Sequence, residues 1–216
     1  MSTIAIIGAH GKVGRIAARL LSADGHDVIG VVRNPAHTDD IVADGATPVV
    51  IDLEQSVTDE LAASVRGVDS IIFTAGSGGG SGPGRKDTMD RAGAIKAMEA
   101  AAHVGVDRFI QVSYLGADEP PEGGTHPDML AYQKAKHAAD EALRASTLRW
   151  TIVRPGALND APLTRRVTIA PSVKDGTTSR ANTGALLALL ATTDRATGHV
   201  LNVIDGDTPL EDATPR

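Results

Sequence analysis

The residues best suited to chemistry by type and spacing are Tyr132 and Lys136, four apart in Tyr-Gln-Lys-Ala-Lys. If this segment is helical, the phenol and the ammonium lie on one face, a single turn from each other. A phenol of pKa about 10 is a poor acid at neutral pH unless a neighbouring cation favours its ionised form, and Lys136 is spaced to provide that cation. Ser113, in Gln-Val-Ser-Tyr-Leu-Gly across 111–116, offers a hydroxyl that can hold a carbonyl oxygen while Tyr132 delivers or removes a proton. Together the three would perform general acid/base catalysis at a carbonyl or hydroxyl group. A Tyr-x-x-x-Lys pair also occurs on solvated helix faces, so its meaning depends on what positions it.

A second constellation is Gly8-Ala9-His10-Gly11-Lys12-Val13-Gly14, a G-x-x-G-x-x-G between an apolar strand and an amphipathic helix. Glycine is needed where the backbone turns sharply and then approaches a pyrophosphate with no Cβ in the way. The first helical turn there presents free N–H groups and the positive end of the helix dipole. A Walker phosphate loop is excluded because Val13, not Ser or Thr, follows Gly11-Lys12. The next strand ends at Val32, where an acid usually binds ribose hydroxyls; here Arg33 and Asn34 stand instead. An arginine at that place can bind a 2′-phosphate through a bidentate pair, so NADP(H) is expected over NAD(H). His10 and Lys12 are candidate donors to the same phosphates, or else solvated loop residues. After the third strand, Asp52 is expected at the adenine edge, or as a helix cap, with Leu53 flanking the ring.

The elements that must position these groups are short β-branched runs alternating with longer Ala-rich stretches of helical spacing, the pattern of βαβ units around a parallel sheet. Strands are expected over 3–7, 27–32, 47–51, 70–73, 108–112, 150–153 and 200–204, and helices over 13–23, 38–44, 57–65, 87–104, 127–145 and 182–192. In such a sheet the C-terminal strand ends face the ligand crevice, which brings the glycine motif and Ser113 to one edge. Asp90 and Lys96 are expected as helix-face residues or a packing pair and carry no assigned chemistry. The glycine-rich segment 76–84 reads as a loop, either a lid or a passive linker. Residues 156–179 have room for a small hairpin, with 166–170 returning through the Asp175-Gly176 turn. The expectation is one dinucleotide-binding domain over 1–216 with a substrate-side insertion near 156–179.

Composition narrows the classes further. With 21 Lys+Arg against 27 Asp+Glu and a net charge of −6, a nucleic-acid partner is not expected. The absence of cysteine excludes disulfides, thiolate metal sites and a cysteine nucleophile, and points to a reducing cytoplasm. Apolar runs fall far short of the roughly 20 residues of a membrane helix, and no basic leader region precedes the glycine motif. The seven histidines show no H-x-H or H-x-x-x-H pairing, so no metal site is expected. The partner expected is a small-molecule substrate; nothing in the chain specifies an oligomeric state.

The glycine loop, Phe73-Thr74-Ala75-Gly76, Val112-Ser-Tyr-Leu-Gly116, Tyr132-x-x-x-Lys136 and Ile152-Val-Arg-Pro-Gly156 occur in an order that resembles the short-chain dehydrogenase/reductase superfamily. More narrowly, the chain is similar over nearly its whole length to the atypical NAD(P)H-binding, NmrA-like branch. The resemblance implies a Rossmann-like, doubly wound parallel sheet of about seven strands with helices on both faces and NADP(H) along its C-terminal edge. It implies a catalytic set at Ser113, Tyr132 and Lys136, with the lysine also holding the nicotinamide ribose. It also implies cofactor contacts at Thr74, Ala75 and Gly76, and the backbone of Pro155-Gly156 against the nicotinamide. The chain departs from the pattern in having Phe73-Thr74 where many members have two asparagines, and in the roughly 60 residues that follow Arg154. The function implied is an NADP(H)-dependent oxidoreductase acting on a small carbonyl or hydroxyl compound. A dinucleotide-responsive binding protein and an NAD-dependent epimerase or dehydratase are the alternatives.

Overall fold

Apolar, β-branched runs of four to seven residues form the centre of the sheet because both of their faces are covered. The computed structural model describes residues 1–78, 82–119 and 126–216. β1 (Thr3–Ile7) leads through the glycine motif into α1 (Lys12–Ala23), then β2 (Asp27–Val32), α2 (Thr38–Ala43), β3 (Thr47–Val50), α3 (Thr58–Ser64) and β4 (Ser70–Phe73). A helical run follows: a short turn α4 (Pro83–Arg85), a π-helical stretch Lys86–Gly93, and α5 (Ala94–His103). Then come β5 (Arg108–Val112), α6 (Pro127–Ala145), β6 (Arg149–Pro155), β7 (Ala157–Asn159), β8 (Arg166–Ile169), β9 (Thr177–Ser179), α7 (Arg180–Ala191), β10 (His199–Asp205), β11 (Thr208–Pro209) and α8 (Leu210–Ala213).

Nine strands make one sheet in the order β11-β8-β10-β6-β5-β4-β1-β2-β3. The seven strands expected from the sequence are its parallel part, from β3 across to β10. The two additional strands correct the count. β8 is not half of a hairpin but pairs antiparallel with β10, and β11 pairs with β8. The Asp175-Gly176 turn leads instead into β9, which pairs in parallel with β7 in a separate two-stranded ribbon. Strand order reverses between β1 and β4, and the crevice at such a switch point is where a doubly wound sheet takes its ligand.

Alternation along β1 divides the core in two. Ile4 and Ile6 pack with Ala17, Ala18 and Leu21 of α1 and with Leu186, Leu187 and Leu190 of α7. Ala5 and Ile7 face the opposite layer, built from Leu61 of α3, Ala94 to Ala101 of α5, and Ala139 and Leu143 of α6. Small residues let these helices lie close to the sheet, so the strand ends are held rigidly. Among the described residues no helix is long and apolar enough to cross a membrane.

Candidate active site

The candidate dinucleotide end is built on the turn from β1 to α1. Gly8 has φ +88°, and a Cβ there would stand 2.6 Å from the main-chain N and Cα of Ala75, so the loops after β1 and β4 touch only because Gly8 has no side chain. Thr74 ties the same two loops, its hydroxyl donating to the carbonyl of Gly8 at 3.1 Å. Gly14 gives α1 the same close seat against the Gly8 carbonyl. Gly11 caps α1 without any side-chain acceptor, so the amides of Lys12, Val13 and Gly14 open the helix uncapped. A pocket of about 350 Å³ beside them is lined by Gly8, His10, Gly11, Arg33, Asn34, Leu53, Thr74, Ala75 and Gly76. It adjoins a cleft of about 860 Å³ that shares Gly11 and the Thr74–Gly76 loop and adds Lys12, Val13, Gly14, Ser113, Tyr132 and Lys136. An elongated trough running past an uncapped, glycine-lined helix start fits a nicotinamide dinucleotide.

Several expected contacts are made differently. The Asp52 carboxylate accepts from the Glu54 amide at 3.0 Å and lines a separate pocket, so it closes a local turn rather than facing the adenine side. His10 lines the trough but gives its Nε2 to Asp40 at 2.9 Å and stacks on His37 at 3.5 Å, which takes that nitrogen from a phosphate. Lys12 reaches Asp160, which Arg180 also holds, at 3.2 and 2.7 Å. Asn34 caps the following turn through the Ala36 amide. Pro155 and Gly156 are buried and line neither pocket. The Pro155 carbonyl accepts from the Leu115 amide, and the Gly156 N–H is donated to Val203 and Thr178, so this step is a structural joint; Leu158 reaches the cleft instead.

The chemical end lies along α6. Tyr132, Lys136 and Asp140 fall four apart on its inner side, and Lys136 Nζ stands 5.9 Å from the Tyr132 ring centroid. The ammonium donates to the Val112 carbonyl at 2.9 Å and lies 3.7 Å from Asp90 Oδ1. Contrary to the sequence-based expectation of a lowered phenol pKa, burial pushes Tyr132 up, and the Asp90 and Asp140 carboxylates add to the rise. The Tyr132 hydroxyl has no hydrogen-bond partner among the described residues. Tyr114 tilts against it at 5.1 Å, and burial followed by Tyr132 pushes that phenol up to about 12.

Ser113 stands at the cleft as expected, but its hydroxyl donates to Asp140 Oδ2 at 2.9 Å. Asp140, 0% exposed, also accepts from Gln111 at 2.7 Å and from two nitrogens of Arg154 at 3.0 and 2.7 Å. A hydroxyl has one hydrogen to give, so Ser113 cannot donate to this carboxylate and to a substrate oxygen at once. Arg154 continues outward to Asp118, whose carboxyl it holds well below the usual carboxylate range with help from Arg144.

Sequence reasoning missed Asp140 and, from the π-helical stretch, Lys86 and Asp90. Asp90 accepts from the Ser77 amide at 3.1 Å, and Lys86 donates to the Gly78 carbonyl at 2.7 Å. Both line the cleft, and together they tether the described start of the loop at 76–84; its residues 79–81 lie outside the described part, as do 120–125. The signal available was position: Asp140, an acid four beyond Lys136 on a helix, shares the face of the pair.

Fold and site together define a Rossmann-like α/β protein with a glycine-lined trough at the sheet's switch point and a Tyr/Lys pair in the adjoining cleft. The chain belongs to the NAD(P)H-binding family, whose model matches residues 8–194. This agrees with the likeness to atypical short-chain dehydrogenases/reductases. YhfK of Bacillus subtilis (strain 168), named as an uncharacterized sugar epimerase, is 36% identical over 98% of each chain. A Bacillus halodurans protein, solved as a candidate NAD-dependent epimerase/dehydratase, superposes with a TM-score of 0.88 at 32% identity over 97% of both chains. The oxidoreductase ylbE from Lactococcus lactis gives 0.84 at 28% identity over 98% of this chain and 94% of its own.

Proposed function

We propose that the protein is an NADP(H)-dependent oxidoreductase that moves a hydride between nicotinamide and a small carbonyl or hydroxyl compound. The observation that carries this reading is that Tyr132 and Lys136 line the same cleft as the uncapped first turn of α1. When bound, the dinucleotide would supply or accept the hydride. Tyr132 lines the cleft and, like any phenol, is protonated at neutral pH, so it would give its proton to the oxygen of a carbonyl being reduced, although the burial that raises its pKa weakens it as an acid. Lys136, fixed by Asp90 and the Val112 carbonyl, would stabilise the phenolate left behind and orient the ribose. Ser113 would offer its oxygen as an acceptor to a substrate hydroxyl, because its hydrogen goes to Asp140.

Arg33 and Arg85, both lining the adenosine-side pocket, support a preference for the 2′-phosphate. Glu54 is the acid nearby, and its carboxyl is held below the usual range by Thr88 and by Arg85, which lies 3.0 Å away. Arg33 is half exposed and only 3.7 Å from that acid, so a phosphate can take the guanidinium over. Parallel calorimetric titrations should give NADPH at least tenfold tighter binding than NADH, with the margin lost in Arg33→Ala. Tyr132→Phe should bind NADPH normally and lose most turnover across a carbonyl panel; wild-type turnover in that variant would remove the assigned role. The names carried by YhfK and the Bacillus halodurans protein favour a second reading, an epimerase that returns the hydride to the same substrate. It predicts turnover of a nucleotide sugar with no net change in cofactor absorbance.

A further inference from the structure

Among the described residues that line the cleft, Lys86 is a buried cation with no carboxylate within ion-pair distance; Asp128 also lines the cleft but forms no ion pair with it. Lys12 and Arg180 share Asp160, and Lys136 faces Asp90, whose other oxygen takes the Ser77 amide. Lys86 itself is 7% exposed. Its Nζ donates to the Gly78 carbonyl at 2.7 Å and lies 5.3 Å from the centre of the Tyr132 ring. A carbonyl uses one of three ammonium hydrogens and neutralises no charge. Holding an ammonium out of water without a counter-charge is unfavourable, and an incoming anion relieves that penalty.

We propose that Lys86 binds an anionic group of the substrate, so that the cleft takes a carbonyl or hydroxyl compound bearing a carboxylate or a phosphate. This rests on the oxidoreductase reading and adds the substrate's charge to it. The anion belongs near the ring of the proton donor, because Lys86 lines the cleft with Tyr132 and does not line the adenosine-side pocket. The dinucleotide's own phosphates are assigned to the opening turn of α1, on the Gly11–Gly14 side.

The test is calorimetric titration of wild type, Lys86→Met and Lys86→Arg with two matched pairs of probes, each with and without NADPH. The pairs are phenylglyoxylate with its methyl ester, and dihydroxyacetone phosphate with dihydroxyacetone. NADPH is titrated first, so loss of the cofactor reading is seen separately, and the acid preference is still read on the protein alone. Wild type should favour the charged member of at least one pair by about 10- to 100-fold, the worth of a charge-assisted hydrogen bond. Which pair shows it distinguishes carboxylate from phosphate. Lys86→Met should keep its NADPH affinity and lose that preference, and Lys86→Arg should keep both. Methionine preserves the volume and removes a buried charge, so NADPH binding by Lys86→Met reports an intact fold. Equal binding of both members of both pairs to wild type overturns the inference. So does a tenfold or greater loss of NADPH affinity in Lys86→Met, which would assign the ammonium to the cofactor.

Discussion

Asp140 lies beneath the cleft that Ser113, Tyr132 and Lys136 line, and its removal is the sharpest test of how that edge is held. Four hydrogen bonds converge on it, from Gln111, Ser113 and two nitrogens of Arg154, and no part of it reaches solvent. Asp140→Ala strips Arg154 of its inner counter-charge while leaving it in the interior. Removing one partner of such a buried pair costs about 3–5 kcal/mol. Asp118 still faces Arg154 at 2.7 Å, but it is 41% exposed and so compensates weakly. For a chain of this size that loss corresponds to a fall in Tm of about 6–20 °C. Asp140→Asn should be milder, about 1–3 kcal/mol. Gln111 Oε1 has no hydrogen-bond partner, so a half-turn of its amide gives the new Asn NH2 an acceptor while the remaining oxygen keeps Ser113 and Arg154. Asp140→Leu with Arg154→Met removes both charges and should recover more than half of the loss in Asp140→Ala. Urea unfolding followed by far-UV circular dichroism, with the slope required to stay constant, measures the three variants against wild type. An Asp140→Ala protein within about 1 kcal/mol of wild type would refute the reasoning, because a buried guanidinium would then need no inner carboxylate.

Three further outcomes are expected. Ser113→Ala should lower kcat/KM by less than about tenfold, against about 10²- to 10⁴-fold for Tyr132→Phe, and equal losses in steady-state assays would return Ser113 to the role of proton-sharing donor. Gly8→Ala should abolish NADPH binding and lower the Tm, because its Cβ would meet main-chain atoms of Ala75 at 2.6 Å in a left-handed conformation; an unchanged titration would show the loop contact to be dispensable. Asp118 is held below its unfolded pKa, first by the Arg154 hydrogen bond, so its stabilisation is fully present above an unfolded value of about 3.9 and is lost as pH falls below that. The stability gap between wild type and Asp118→Asn should therefore be flat from about pH 5 to 8 and shrink in acid; a gap that widened in acid would contradict the assigned pair.

Local rules made most of the frame legible. The seven parallel strands follow from apolar β-branched runs, and α1 and α6 from the spacing of their apolar positions, because these signals act over a few residues. The glycine loop was legible for the same reason: a sharp turn with no room for Cβ is a demand on the backbone itself. The Tyr132–Lys136 pair was visible because helix geometry alone sets its spacing. Tertiary structure decided what those groups touch. Asp140 meets Ser113 from 27 residues away, and Arg154 reaches Asp118 from 36, distances that no periodicity encodes. Lys86 and Asp90 enter the cleft from a π-helical stretch that packs against α6, where the sequence reads as an ordinary helix beginning at 87. The phenol's pKa shows the division most plainly. Spacing alone argued for a cation that lowers it, whereas burial and two carboxylates brought in by folding raise it, since desolvation and long-range charge exist only once the chain is packed.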